Sequence, residues 1–398
     1  MFFKRDLSKV FVRYTKFPVI AVLGPRQSGK TTLARNYFKK HLYVNLENPE
    51  FRSFAMEDPK RFLREYENGH GLIIDEFQYV PQLLSYIQVA VDEKKRPGYF
   101  ILTGSQNFLM NQSITQSLAG RVGILTLLPL SLHELKENKL LMDIDFTLLQ
   151  GSYPRLYEEQ IAALDIYPSY IHTYLERDVR QIANVEDILV FQKLMRLCAA
   201  RVGQLLNVAD LATHLGIDQR KVKQWLAVLE ASYIIFLLKP HFQNFNKRLT
   251  KTPKLYFYDT GLACALLDIK TTNTLALSPY RGSLFESLII SDFQKQYYNE
   301  GISNPSTYFW RDQNGRIEVD CIIDRGDTLF PVEIKSGETI SSSFFTSLLE
   351  WSKLSERPPE YSTVIYGGDK NQKRSVGHAI GWQNATQFIP HLYEKAAS

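Results

Sequence analysis

Two groups of residues in this 398-residue chain have types and spacings suited to phosphate chemistry. The first is Gly24-Pro25-Arg26-Gln27-Ser28-Gly29-Lys30-Thr31-Thr32, which satisfies G-x-x-x-x-G-K-[ST]. Gly24 and Gly29 let backbone N–H groups wrap phosphate oxygens. Lys30 reaches the β- and γ-phosphates, and the Thr31 hydroxyl ligates Mg²⁺. The matching acids come in "GLIIDEFQYV" (71–80). Asp75 is placed to hold the Mg²⁺ through water and Glu76 to polarise the attacking water. Gln78 either helps orient that water or is solvated. "YFILTGSQN" (99–107) ends in Ser105 and Asn107, candidates to sense the γ-phosphate. Arg121, in "SLAGRVG", is either an arginine approaching that phosphate, in cis or from a neighbouring subunit, or a salt-bridged structural arginine. ATP and Mg²⁺ are the expected cofactors.

The second group lies in "IEVDCIIDRGDTLFPVEIKSG" (317–337), two apolar stretches that carry carboxylates and a lysine. Strand alternation predicts that Ile317, Val319, Cys321 and Ile323 share one face, leaving Glu318, Asp320 and Asp324 on the other. In the second stretch Phe330, Val332 and Ile334 share a face, leaving Glu333 and Lys335 opposite. A two-residue turn at Arg325-Gly326 or at Gly326-Asp327 keeps the apolar faces together. Either turn puts Asp320 and Glu333 diagonal or directly across. Carboxylates facing across a ladder repel, so the pattern points to a cation between them.

These groups need elements to carry them. Pro18–Leu23, "LYVNLE" (42–47), "GLIID" (71–75), "YFILTGS" (99–105) and "GILTLLPL" (123–130) read as five buried strands alternating with helices. That pattern predicts a doubly wound parallel sheet with nucleotide at the carboxyl ends of the strands. From about residue 141 the pattern turns helical. "NVADLATHLGIDQRKVKQWLAVLEASYIIFLL" reads as helix, Gly216 turn, second helix and strand, with Asp218 as N-cap. Arg220, Lys221 and Lys223 lie early in the second helix. "KPHFQNFNKRLTKTPK" (239–254) adds Lys239, Lys247, Arg248, Lys251 and Lys254 without a carboxylate, interrupted by Phe242 and Phe245. Helix-turn-helix plus a basic hairpin is a winged-helix pattern suited to a phosphate backbone. The competing reading is a solvated helix face and a basic packing loop.

Composition sets the outer bounds. Hydrophobic content of 44% and charged content of 22% are those of a globular protein, and the length suits two or three domains. Expected domains are 1–140 for the phosphate-binding sheet, 141–270 for the helical and winged-helix region and 271–398 for a C-terminal α/β region. A net charge of +5 permits nucleic acid without arguing for it. Cys198, Cys264 and Cys321 are far apart, so neither a disulfide framework nor a zinc site is expected. The N-terminus is broken by charges and the longest apolar run, "YIIFLL", is too short for a bilayer. The expectation is a cytoplasmic protein without membrane partners.

The blocks "GPRQSGKTTLA", "LIIDEFQ", "ILTGSQ", "LAGR" and "LPLSLHEL" resemble a widespread prokaryotic group of AAA-superfamily P-loop ATPases. The resemblance continues through "GSYPRLY", "YLERDV", "YFYDTGL", "RGSLFESLI" and "EVD…VEIKSG", nearly the whole chain. It implies a C-terminal winged helix plus a region of uncharacterised function related to PD-(D/E)XK nucleases. That relationship implies Asp320 and Glu333 as ligands of Mg²⁺ or Mn²⁺, with the Ile334 carbonyl as a third. Lys335 would then orient or deprotonate water and offset charge on the phosphorane. Glu286, on a helical stretch, stands where such nucleases add a glutamate, whereas Val319 replaces the proline of the nominal motif. Two functions follow. One is an ATPase whose nucleotide state governs nucleic-acid binding, DNA favoured, and metal-dependent cleavage. The other is an ATP-gated switch gripping nucleic acid or protein, with a silent nuclease-like domain. Assembly into an oligomer suits either.

Overall fold

The computed structural model describes residues 3–105, 114, 117–174, 187–241, 251–312 and 314–394. Asn107, Phe242, Phe245, Lys247 and Arg248 lie outside the described residues. The chain divides into two compact units. One comprises Met1–Leu130, Ala231–Tyr233 and Tyr297–Ser303; the other comprises Ser131–Glu230, Ile234–Gln296 and Asn304–Ser398.

In the first unit β1 (Val19–Gly24), β2 (Leu42–Asn45), β3 (Leu72–Asp75), β4 (Phe100–Ser105) and β5 (Val122–Thr126) form a parallel sheet in the order β2-β3-β4-β1-β5. Val19, Ala21 and Leu23 enter one apolar core, while Ile20 and Val22 enter a second. A strand buried on both faces must be apolar at every position, which is why β1 reads as a continuous run. The strand order puts β4 between β1 and β3. Ser105 then pairs with Gly24, and Thr103 pairs with Val22 on one side and Asp75 on the other. The end of β4 thus falls between the phosphate loop and the acidic end of β3.

The second unit begins with helical segments. Helix Val208–Leu215 starts on the Asn207 side chain and stops at Gly216, whose φ of 67° suits a residue without Cβ. Asp218 accepts the Arg220 N–H at 2.6 Å ahead of helix Gln219–Ala231, as an N-cap does. β6 (Ile235–Leu238) and β7 (Lys254–Phe257) follow as an antiparallel pair. Asp259, just beyond β7, clamps the turn at "GSY": it accepts the Ser152 N–H at 2.7 Å, the Ser152 hydroxyl at 2.8 Å and the Tyr167 hydroxyl at 2.6 Å. Gly151 is required there, because a Cβ would stand 1.9 Å from the Tyr167 hydroxyl.

The rest of this unit is built on a mixed six-stranded sheet. β8 (Thr307–Arg311), β9 (Glu318–Asp324), β10 (Leu329–Lys335), β11 (Thr363–Tyr366), β12 (Gln372–Arg374) and β13 (Gly377–Gly381) lie in the order β12-β13-β11-β10-β9-β8. Asp324 pairs with Leu329, and the Arg325 N–H reaches the Thr328 carbonyl, so the turn centres on Gly326-Asp327. One expectation fails. Between β8 and β9, Tyr308 faces Ile322 but Trp310 faces Val319, leaving Phe309 opposite both Asp320 and Cys321. This bulge breaks the alternation. Val319 packs with Ile322 in the core of Trp310, Trp351 and Val364 instead of sharing a face with Cys321. Among the described residues no helix is long and apolar enough to cross a membrane.

Candidate functional site

Loop geometry shapes the first site. Gly24 has φ 150°, and a Cβ there would stand 2.2 Å from the Leu127 carbonyl oxygen, so the chain turns tightly out of β1. Gly29, at φ 90°, opens the helix Lys30–Tyr37. The Ser28 hydroxyl donates to the Pro25 carbonyl at 3.0 Å, and the buried Lys30 ammonium donates to the same oxygen at 2.6 Å. Arg26 is half-buried, whereas Gln27 and Thr32 are exposed. From behind, the buried Arg5 guanidinium donates to the carbonyls of Ser28 at 2.7 Å and Leu128 at 2.6 Å, bracing the loop.

Asp75 is where the elements converge. It is 3% exposed and accepts from the Thr31 hydroxyl at 2.9 and 3.0 Å, the Tyr43 hydroxyl at 2.8 Å, the Glu76 N–H at 3.2 Å and the Thr103 hydroxyl. Glu76 takes a left-handed conformation at φ 52°, costly for a residue with a Cβ. The Gln78 amide donates to its carboxylate. Gln78 is therefore no solvated side chain. Its Oε1 is buried without a hydrogen-bond partner, close to where a Gly104 Cβ would be. Ser105 Oγ, beside the phosphate loop, is likewise buried without a partner.

For Arg121 the geometry matches the salt-bridged alternative. It directly precedes Val122, which pairs with Val19 at the start of β1, whereas the phosphate loop follows the other end of that strand. In cis it stands at the wrong end of the sheet for a γ-phosphate. Its guanidinium grips Asp92 instead, at 2.6 and 2.9 Å. Tyr43, Thr103 and Arg5 were missed by sequence reasoning. Thr103 sits within "ILTGSQ", but the strand order that points it at Asp75 is not visible in the sequence.

The second site gathers side chains from β7, β9, β10 and the helix Arg281–Asn299. Past the last β9–β10 pair, Cys321 with Val332, the Ile334 N–H donates to the Asp320 carboxylate at 2.8 Å. Lys335 donates to Glu333 Oε1 at 2.6 Å. Glu333 is 4% exposed, and its Oε2 is buried with no hydrogen-bond partner. Burial, and then the Asp320 charge, pushes the Glu333 carboxyl up to about 8, against the pull of Lys335. Glu286 is pushed up to about 7, by burial first and by Asp320; Lys254 opposes the shift.

Lys254 itself is expected in a basic hairpin suited to a phosphate backbone, or in a basic packing loop. The fold buries it: the side chain is 4% exposed, pairs with Glu286 at 3.2 Å, and forms an ion pair with Glu318. Burial alone lowers its pKa, but Glu286, Asp320 and Glu318 lift it above the ordinary lysine value. The Tyr256 hydroxyl donates to the same Glu286 oxygen at 2.5 Å. Arg220, Lys223 and Lys251 are exposed, while Lys221 lies 5.1 Å from the Trp225 ring centroid.

A lone carboxylate oxygen on a buried, crowded pair suits a hard cation with oxygen ligands. Among the described residues no three Asp, Glu, His or Cys side chains are already gathered as a cage, so the ready donor set is the pair Asp320 and Glu333.

A parallel sheet with a phosphate loop after β1 and an acid after β3 defines an AAA-type P-loop ATPase domain, and residues 16–136 match the AAA domain family. Residues 141–273 and 281–384 match two domains of unknown function, DUF8612 and DUF4143. Over 343 residues the chain is 31% identical to an uncharacterised protein of Mycobacterium tuberculosis, Rv2008c, spanning 84% of this chain and 74% of that one. The same figures hold for an uncharacterised protein of Mycobacterium bovis, Mb2031c. The chain belongs to the family of these proteins. Membership of the P-loop ATPases implies a nucleotide, usually with Mg²⁺. Among solved structures, the Walker-type ATPase PABY2304 of Pyrococcus abyssi aligns over 67% of this chain and 96% of its own, at 16% identity and a TM-score of 0.46. The RuvB branch-migration motor of Thermotoga maritima aligns over 58% and 85%, at 16% identity and a TM-score of 0.29.

Proposed function

We propose that this protein hydrolyses Mg²⁺-bound ATP and couples its nucleotide state to nucleic acid, DNA foremost, which the second unit binds and cleaves. The observation carrying the hydrolysis is the contact of the Thr31 hydroxyl with the Asp75 carboxylate, which sets two oxygen ligands side by side beside Lys30. Lys30 offsets phosphate charge, Glu76 takes the proton of the attacking water, and Gln78 holds Glu76 in place. Ser105 Oγ, free to donate, reads the γ-phosphate from the end of β4. Lys30→Ala and Glu76→Gln should each lower ATP turnover by about 10²–10³-fold, the scale of losing one preorganised charge-stabilising group. Phosphate release at the wild-type rate from either variant would reject the assignment.

In the second unit, Arg220 and Lys223 on the exposed start of helix Gln219–Ala231 hold the phosphate backbone, as in a winged helix. The β6–β7 pair, and a bridge from Leu205 to Lys254 beside it, support that reading. Asp320 and Glu333 hold a divalent cation, which when bound polarises the scissile phosphate and its water. Lys335, half-buried and bonded to Glu333, orients that water and offsets negative charge as it develops. Mg²⁺- or Mn²⁺-dependent cleavage of DNA or RNA should disappear in Asp320→Ala; equal cleavage by variant and wild type marks a contaminant.

A second reading, the ATP-gated switch with a silent acidic site, is favoured by one observation. Glu286 Oε1 is already taken by Lys254 and Tyr256. Under that reading neither Asp320 nor Glu333 affects any activity.

A further inference from the structure

The acidic site contains an odd member. Glu286, Glu318, Asp320 and Glu333 come from the sheet of the second unit and the long helix ahead of it, but Lys254 belongs to β7. Its backbone is paired on both sides, with Leu238 of β6 and with Leu205. The side chain therefore leaves from a rigid point. Tyr256, two residues on and hence on the same side of the strand, converges with Lys254 on Glu286 Oε1. The ammonium also pairs with Glu318 and lies 5.6 Å from the ring centroid of Phe309, the residue opposite the bulge at Asp320 and Cys321. The hydrogen bonds and ion pairs thereby sort the carboxylates into two halves, although the Asp320 charge also reaches Lys254 and Glu286. Glu286 and Glu318 share Lys254, with Arg311 adding 3.2 Å contact to Glu318. Asp320 and Glu333 have the Ile334 N–H, Lys335 and one buried oxygen with no partner.

We propose that Lys254 is a built-in cation of this site: its ammonium occupies the Glu286–Glu318 half, so that the site accepts one divalent ion, at Asp320 and Glu333, and not two. This rests on the reading that the acidic site takes a divalent cation. A buried amine between two carboxylates supplies the neutralisation a second ion would bring, and it repels a second cation from the carboxylates it already occupies. Glu286 is then a counter-ion of Lys254 and not a metal ligand. Tyr256 fixes its orientation.

The test is Mn²⁺ binding to nucleotide-free full-length protein carrying Thr31→Ala, which removes a ligand at the phosphate loop. Calorimetry and electron paramagnetic resonance should find one Mn²⁺ per chain with an isolated six-line spectrum. That ion should be lost in Asp320→Asn, whereas Glu286→Gln should change its affinity less than about threefold. Losing a true ligand should cost at least as much as the ~10–100-fold that a supporting partner of a ligand costs. Lys254→Met should admit a second Mn²⁺ and Lys254→Arg should not. Two coupled ions in the Lys254-containing protein, or a tenfold loss in Glu286→Gln, overturn the role of Lys254 while leaving the metal site standing. A folded Lys254→Met that still binds one ion also overturns it. No Mn²⁺ bound in any variant overturns the metal site itself. The spectrum of the Lys254-containing protein and the Glu286→Gln affinity decide the matter even if Lys254→Met fails to fold.

Discussion

The phosphate loop and the acidic site hold charge by opposite means. At the phosphate loop neutral dipoles are prominent: Asp75 meets hydroxyls and an N–H, and Lys30 donates to the Pro25 carbonyl. At the acidic site charges mostly meet charges, Lys254 with Glu286 and Glu318, and Lys335 with Glu333. Dipoles can be supplied by a short run of backbone and its neighbours, so the phosphate loop itself is compact in sequence. Opposed charges must arrive from separate elements and be desolvated together, so each depends on its partner being there. Losing a dipole should harm function more than stability. Losing one of the opposed charges should harm stability first.

The largest effect that can break this comparison is on Lys254. Lys254→Met strands two carboxylates and should cost about 3–5 kcal/mol, the range for removing one partner of a buried pair. Urea unfolding near neutral pH measures it, and a loss within error of zero would mean the acidic site is not held by opposed charges. The next effect is on pH. An unfolded glutamate titrates near ~4.3, and the folded Glu333 near about 8. The folded state thus binds this proton more tightly, and stability falls as pH rises between those values. Glu333→Gln should flatten that decline in melting temperature when both proteins are compared in EDTA from pH 5 to 8. An unchanged slope would remove Glu333 as its source. The smallest expected effect sharpens the other side. Tyr43→Phe deletes one donor to Asp75, worth roughly 1.5 kcal/mol for a hydrogen bond to a charged group, and should slow ATP turnover about tenfold. The melting temperature should hardly move. A large thermal loss with normal turnover would make Tyr43 structural.

Legibility differed between the sites for the same reason. The phosphate loop was readable because its chemistry is local: glycine conformations, a strand's end and a helix's start lie within nine residues. Asp75 and Glu76 were readable because a wholly apolar strand ended in acids. Arg121 was open to three readings because sequence does not say at which end of the sheet a loop emerges. At the acidic site, alternation found Asp320, Glu333 and Lys335, and the turn at Gly326-Asp327 was one of two anticipated. Alternation failed at Cys321 because a bulge adds a residue that no period-two pattern contains. Lys254 read as part of a basic loop because nothing adjacent in sequence is acidic.

The sequence alone determined the parallel nucleotide-binding sheet, the phosphate cradle and its acids, and a sheet bearing sorted carboxylates, since these follow from backbone periodicity and contiguous motifs. Tertiary structure decided the strand order that slides Thr103 and Ser105 between Gly24 and Asp75, the pairing of Arg121 with Asp92, and the insertion of Lys254 among the acids. Each of these depends on which elements become neighbours. That choice is made by packing both faces of each sheet and by finding a partner for every buried charge, a condition on the whole unit and not on any one stretch of chain.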